Sequence, residues 1–227
     1  MLGASANKIG SMIALAIFLG LTQSAMAFLL AGTWSLPFFW AALGIQTLVL
    51  SIGAGFLDPA LIDERLHPPG HQDKDTFGPL ILGILYPAHL ALAALDVGCW
   101  HLSDTVPLLV RLPALLLLAA GWSGLMWTMR INKFFSRAVR VQHDREQTVV
   151  ADGPYRLVRH PGYAFLMLAL LNQALALGSW LSCLPVLVIV CQLLYRLGLE
   201  EKLLTDQLDG YQDYVASVRF RLVPYIW

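Results

Sequence analysis

Five apolar stretches, Ile9–Leu30, Leu36–Phe56, Leu80–Trp100, Val106–Met129 and Leu181–Leu199, restrict what this chain can fold into more than any other feature. Each approaches or exceeds the roughly 20 residues an α-helix needs to cross a hydrocarbon layer of about 30 Å. A sixth, Tyr163–Leu177, is shorter and joins the last through Gly178-Ser179-Trp180, a pattern that reads as a helical hairpin. With no water to serve the backbone, such stretches must hydrogen-bond internally as helices. Composition agrees. The 227 residues are 57% apolar and 13% charged, whereas soluble domains carry about 25% charge. The expected fold is therefore all-α: a polytopic membrane helix bundle of about six transmembrane helices. Disordered, collagen-like and disulfide-stapled classes are excluded. The Ser-Ala-Met-Ala run at 24–27 has the look of a signal-peptide end, but the apolar stretch continues through Leu30 and reads as a span.

Fifteen Lys and Arg balance fifteen Asp and Glu, so no basic field points to nucleic acid. The three cysteines, Cys99, Cys183 and Cys191, form no Cys-x-x-Cys pair, and no cysteine accompanies His67 and His71 in the acidic 58–75 segment. No metal site is expected. Six crossings place fourteen of the fifteen cations on one face and leave Arg111 opposite. The positive-inside rule then makes both termini cytoplasmic, and a bacterial or archaeal inner membrane is the expected location. The chain divides unevenly: residues 1–129 form four hydrophobic helices, and residues 130–227 hold most of the cations and motif-like polar groups.

Within that second part, Asp152-Gly153-Pro154-Tyr155 is a turn signal. Arg159-His160-Pro161-Gly162-Tyr163 follows, with His160 kept extended by the proline and Pro161 suited to a first helical turn. Free backbone N–H groups would gather there beside a guanidinium and an imidazole, an arrangement that binds carboxylates or phosphates; alternatively these two residues only anchor the chain at the interface. Glu200-Glu201 closes the last span. One glutamate is expected to face a pocket and the other to hold Arg159 or Arg196, with Arg196 able to pair with Glu200 at i,i+4. Leu203–Val218 has helical apolar spacing and reads as a C-terminal amphipathic helix lying on the membrane face, interrupted near Asp209-Gly210.

Taken in order, N-x-F-F (Asn132 to Phe135), V-Q (Val141-Gln142), G-P-Y-R-x-V-R-H-P-G-Y (Gly153 to Tyr163), A-L-G-S-W (Ala176 to Trp180), E-E-x-L-L (Glu200 to Leu204) and G-Y-x-x-Y-x-x-x-V-R-x-R-L-x-P (Gly210 to Pro224) form a recognisable series. Residues 130–225 resemble the integral membrane methyltransferases that include isoprenylcysteine carboxyl methyltransferase and the phospholipid N-methyltransferases. The resemblance implies S-adenosylmethionine as donor, held on the cytoplasmic side by Arg159, His160, Pro161, Tyr163, Glu200 and Glu201. It further implies contacts from Gly153, Tyr155 and the Gln147, Val149 and Val150 segment, and a direct part in the reaction for Arg159, Glu200 and Glu201. The acceptor would be an amphiphile entering from the lipid bilayer. Gln147 departs from the His that relatives often carry at that place. A carboxyl-methylating enzyme is the leading reading; an amine-methylating enzyme, or a small transporter or scaffold without donor binding, are the alternatives. Oligomeric state is not encoded in any recognisable motif.

His89 and Asp96 share a face of the third span, and Asp96 is expected at a wet helix end near Trp100 and His101. Gln23, Gln46, Asn172, Gln173 and Gln192 are expected mostly to make interhelical hydrogen bonds, or else to line a polar cavity.

Overall fold

A computed structural model describes residues 2–67 and 73–227. His71 lies outside them. Eight α-helices follow one another, with no strand among the described residues: α1 (Leu2–Ala31), α2 (Pro37–Ala54), α3 (Pro59–Leu66), α4 (Gly78–Leu95), α5 (Leu108–Ile131), α6 (Pro161–Leu177), α7 (Cys183–Gln207) and α8 (Tyr211–Ser217). Five of them, α1, α2, α4, α5 and α7, are long and apolar enough to cross a membrane, and α6 is a shorter apolar helix of 17 residues. The chain is a multi-pass integral membrane protein. Its outer faces leave Leu29, Leu109 and Leu116 more than 70% exposed, a surface suited to lipid and costly in water.

Proline and side-chain caps mark the helix starts. Pro37, Pro59, Pro79 and Pro161 lie in first turns, where the missing N–H would have had no helical partner, and the Asp58 carboxylate caps α3 by accepting from the Ala60 N–H at 2.7 Å. Gly178 ends α6 at φ +95°, and its N–H closes on the Leu175 carbonyl. The α5–α6 seam is tight: a Cβ on Gly121 would stand 2.6 Å from the Ala169 backbone nitrogen, so only glycine lets the two helices approach this far.

The two ends of the bundle differ. At one end, Phe28, Trp34 and Trp40 stack together and Arg111 lies 3.8 Å from the Phe38 ring centroid. Asp96 belongs to this end, and the structure corrects its expected wet setting. A π-helical turn, Asp96–Trp100, continues α4 and folds the carboxylate inward to full burial. There it accepts from the Leu102 and Ser103 N–H groups at 2.8 and 2.9 Å and from the Ser103 and Ser179 hydroxyls at 2.5 Å. The opposite end carries α3, the 132–160 segment, the tip of α7 and the C-terminal tail.

The apolar stripe in Leu203–Val218 packs on the protein itself. Its first half is simply the end of α7, which runs past Leu199 to Gln207 before Gly210 (φ +78°) turns the chain into α8. Leu204, Leu208, Tyr211 and Tyr214 are buried against Val141 and Tyr155, with Val149 and Val150 alongside. Periodicity showed an apolar face but not what would cover it; the nearby loop does so instead of lipid.

Candidate active site

Pro161 starts α6 immediately after Arg159 and His160, and the backbone of that dipeptide is pinned by the tail. Arg159 N–H donates to the Phe220 carbonyl and His160 N–H to the Arg221 carbonyl, each at 2.9 Å. The α7 tip brings Glu201 onto the same two side chains. Its carboxylate receives Arg159 Nη2 at 2.6 Å, Arg159 Nε at 2.8 Å and lies 2.8 Å from His160 Nε2, with Arg221 Nε farther off at 3.6 Å. Arg159 also donates through Nη1 to the Val218 and Arg219 carbonyls. Most of its guanidinium capacity is thus engaged by the protein.

Glu200 points elsewhere, as adjacent helical residues must. It is half-buried, lines a cleft and accepts from the Tyr163 hydroxyl at 2.7 Å. Tyr163 in turn receives Arg196 Nε at 3.2 Å. The expected Arg196–Glu200 ion pair is absent. Arg196 reaches across to α4's approach segment and pairs with Asp75 at 3.0 Å, where Gln192 also donates to the Asp75 carboxylate. The Asp75 side chain lies closer in space than the neighbour one turn along α7, a relation no local spacing reports.

The cleft is bounded by the 132–150 segment, the start of α6, the α7 tip and α8. Gln147, Val149, Val150, Tyr155, Arg159, His160, Tyr163 and Glu200 line it; Gly153, Pro161 and Glu201 do not. Gly153 opens the turn that presents Tyr155 and has φ +57°, Pro161 begins the helix, and Glu201 stands behind the cation pair. Gln147 is engaged by its own loop: its Oε1 accepts from the Gln142 N–H at 2.8 Å. Lining residues not expected at the site include Asn132, Leu208, Tyr211 and Tyr214. Asn132 donates to the Tyr155 hydroxyl at 2.9 Å, and the Tyr214 hydroxyl donates to the Tyr155 carbonyl at 2.7 Å. Gly210-Tyr211 and Tyr214 stood in the motif series, but their apolar spacing directed them to the membrane. Burial raises the phenols of Tyr155, Tyr211 and Tyr214 above the ordinary tyrosine value, so all three stay neutral hydrogen-bonding aromatics.

A second, larger cavity of about 500 Å³ runs alongside, walled by Leu19, Leu82, Trp122, Leu166 and Leu193. The two spaces share Phe135, Ser136, Gly162 and Tyr163. Gly162 is required here: a Cβ would collide with the Phe135 ring. Three guanidiniums, Arg65, Arg137 and Arg196, stand on the same cavity. Arg65 donates to the Phe135 carbonyl at 3.2 Å and its Nε has no partner; burial, then Arg137 and Arg196, push its pKa down to about 10, still charged at neutral pH.

Residues 108–206 match the model of the isoprenylcysteine carboxyl methyltransferase (ICMT) family. The match covers α5, the 132–160 segment, α6 and nearly all of α7, and a membrane methyltransferase is the activity it supports. No curated protein matches the chain. Among the described residues no cluster of three or more His, Cys, Asp or Glu stands ready for a metal.

Proposed function

We propose that this protein is an S-adenosylmethionine-dependent methyltransferase that esterifies the carboxylate of an anionic amphiphile. The observation that carries the reading is the meeting of a polar cleft and an apolar cavity at Tyr163, Gly162, Phe135 and Ser136. A water-soluble donor and a lipid-borne acceptor need two such spaces with one shared wall.

The cleft's residues suit the donor. The Gly162 and Tyr163 N–H groups, in the first turn of α6 where no helical acceptor precedes them, face a carboxylate together with the helix dipole. His160 supports that charge, while Glu201 fixes Arg159 and His160 in place. Glu200 offers an anionic partner to an ammonium. Tyr155, Tyr211 and Leu208 provide flat apolar walls for a purine. When bound, S-adenosylmethionine would supply an electrophilic methyl on sulfonium, which passes in line to an aligned carboxylate oxygen as the S–CH3 bond breaks and the neutral thioether leaves as S-adenosylhomocysteine. The protein's share is positioning and exclusion of water. The free space in the cleft is small, about 90 Å³, so the donor needs the cleft to widen as it enters.

On the acceptor side, Arg65, Arg137 and Arg196 favour an anionic head over an ammonium. That separates the carboxyl reading from the amine reading, since a carboxylate attacks without a base whereas an ammonium must first lose its proton. Tyr163, held between Arg196 and Glu200, sets the boundary at which the head stops.

Calorimetry of S-adenosylhomocysteine on the detergent-purified chain tests donor binding. Micromolar affinity that falls at least tenfold in Glu200→Gln is expected; no binding at hundreds of micromolar overturns the reading. Incubation with methyl-labelled donor and a lipid extract tests the acceptor. A product that releases labelled methanol in alkali is an ester, whereas alkali-stable label moves the assignment to an amine.

A further inference from the structure

The wall of the larger cavity carries a polar belt deep among its apolar residues. Gln23 from α1, Gln46 from α2, Tyr86 from α4 and Gln173 from α6 converge on one point. Gln46 Nε2 donates to Gln23 Oε1 at 3.0 Å, Tyr86 donates to Gln46 Oε1 at 2.6 Å, and Gln173 Nε2 donates to the same oxygen at 2.8 Å. Gln23, Gln46 and Tyr86 line the cavity itself. Gln173 lies ten residues beyond Tyr163 on α6, so the belt sits about 15 Å deeper than the boundary where the two spaces meet.

The protein's own groups do not complete this belt. Gln23 makes one hydrogen bond, as acceptor, and its amide N–H groups meet no protein acceptor among the described residues. His89, one turn along α4 from Tyr86 with ring centroids 5.6 Å apart, is fully buried beside the belt. Pro87 has no N–H, so the Gly83 carbonyl, on the same cavity wall, loses its regular helical donor. Side chains acting only as glue between helices would use up their donors on each other. Here the Gln23 amide stands on the cavity wall with its donors unused by the protein. An unmatched polar group in hydrocarbon is costly, and a plain alkyl chain drawn past this belt would leave it unmatched.

We infer that the acceptor's chain carries an oxygen function, a hydroxyl or carbonyl, at the depth of this belt, and that Gln23, Gln46 and Tyr86 select for it. The inference rests on the cavity's role as acceptor site and deepens it: the substrate class becomes an anionic amphiphile oxygenated within its chain.

The test is calorimetric and needs no turnover. Octadecanoate and a series of octadecanoates hydroxylated at single successive carbons are titrated into the full-length protein in detergent, with wild type compared against Gln23→Leu and Tyr86→Phe. Thermal unfolding confirms that each variant is folded, and two variants guard against one that is not. In wild type one hydroxyl position should bind roughly tenfold tighter than the plain chain, the size of one hydrogen bond gained in an apolar setting. In each folded variant that ratio should fall toward one. Equal affinity for plain and hydroxylated chains in wild type, or a ratio unchanged in both variants, overturns the inference and leaves the methyltransferase reading standing. Failure of every chain to bind removes the acceptor role of the cavity and this inference with it.

Discussion

Replacing each of the adjacent glutamates by glutamine should separate their roles. Glu201 is 9% exposed and accepts three short contacts from a buried guanidinium and a buried imidazole. Glutamine keeps the shape and one carbonyl oxygen but removes the charge and turns an N–H₂ toward one of those cations. Breaking a buried pair by neutralising one partner costs about 3–5 kcal/mol. The retained carbonyl lowers that to roughly 2–4 kcal/mol, since charge-assisted bonds contribute about 1.5–3 kcal/mol and neutral ones about half as much. For a chain of this size each kcal/mol shifts the midpoint by about 2–4 °C, so Glu201→Gln should unfold roughly 5–15 °C below wild type. Glu200 is half-buried and accepts one bond, from Tyr163. Glu200→Gln should cost about 1 kcal/mol and a few degrees, while donor affinity drops. The assay is tryptophan fluorescence on heating in detergent, paired with S-adenosylhomocysteine calorimetry. A midpoint in Glu200→Gln as low as in Glu201→Gln would refute the division into a positioning carboxylate and a cleft-facing one.

Three other outcomes follow from the same geometry. Asp96→Asn loses part of a four-bond acceptor site at the far end of the bundle and should lower the unfolding midpoint by several degrees, with S-adenosylhomocysteine affinity within twofold of wild type. Gly121→Ala forces a methyl against Ala169 and should cost about 1–3 kcal/mol, read as a lowered midpoint in the same melts. The hydrogen bond from Arg140 holds the Asp144 carboxyl below its ordinary value, so the pair stabilises the fold above about pH 4 and the contribution is lost as pH falls through the lowered folded-state value. Because Asp144 is largely exposed, wild type should exceed Asp144→Asn by less than about 1 kcal/mol at pH 7, and the gap between their melting curves should close below pH 4.

The helices were legible because hydrocarbon leaves the backbone no other choice, and Pro161 announced the start of α6. The Arg159–His160 pair and the twin glutamates stood out because charges are rare in a chain this apolar. Partners were less legible. Arg196 had Glu200 at helical spacing yet takes Asp75, 121 residues away, because local spacing offers neighbours and folding offers closer ones. Asp96 turned inward through a π-helical turn that its sequence does not mark. The stripe from Leu204 to Tyr214 was apolar by sequence, but whether lipid or the Val149–Val150 loop would cover it depended on where that loop came to rest.

The amino-acid order alone therefore determined a helical membrane protein with its polar chemistry gathered at one end, since transfer energies and backbone satisfaction are properties of each segment by itself. Tertiary structure decided which glutamate clamps the cations, which faces the cleft, and that the cleft meets an apolar cavity at Tyr163. Those are relations between α6, α7 and the 132–150 segment, which Gly162 lets lie close by leaving room for the Phe135 ring, and no single segment contains them.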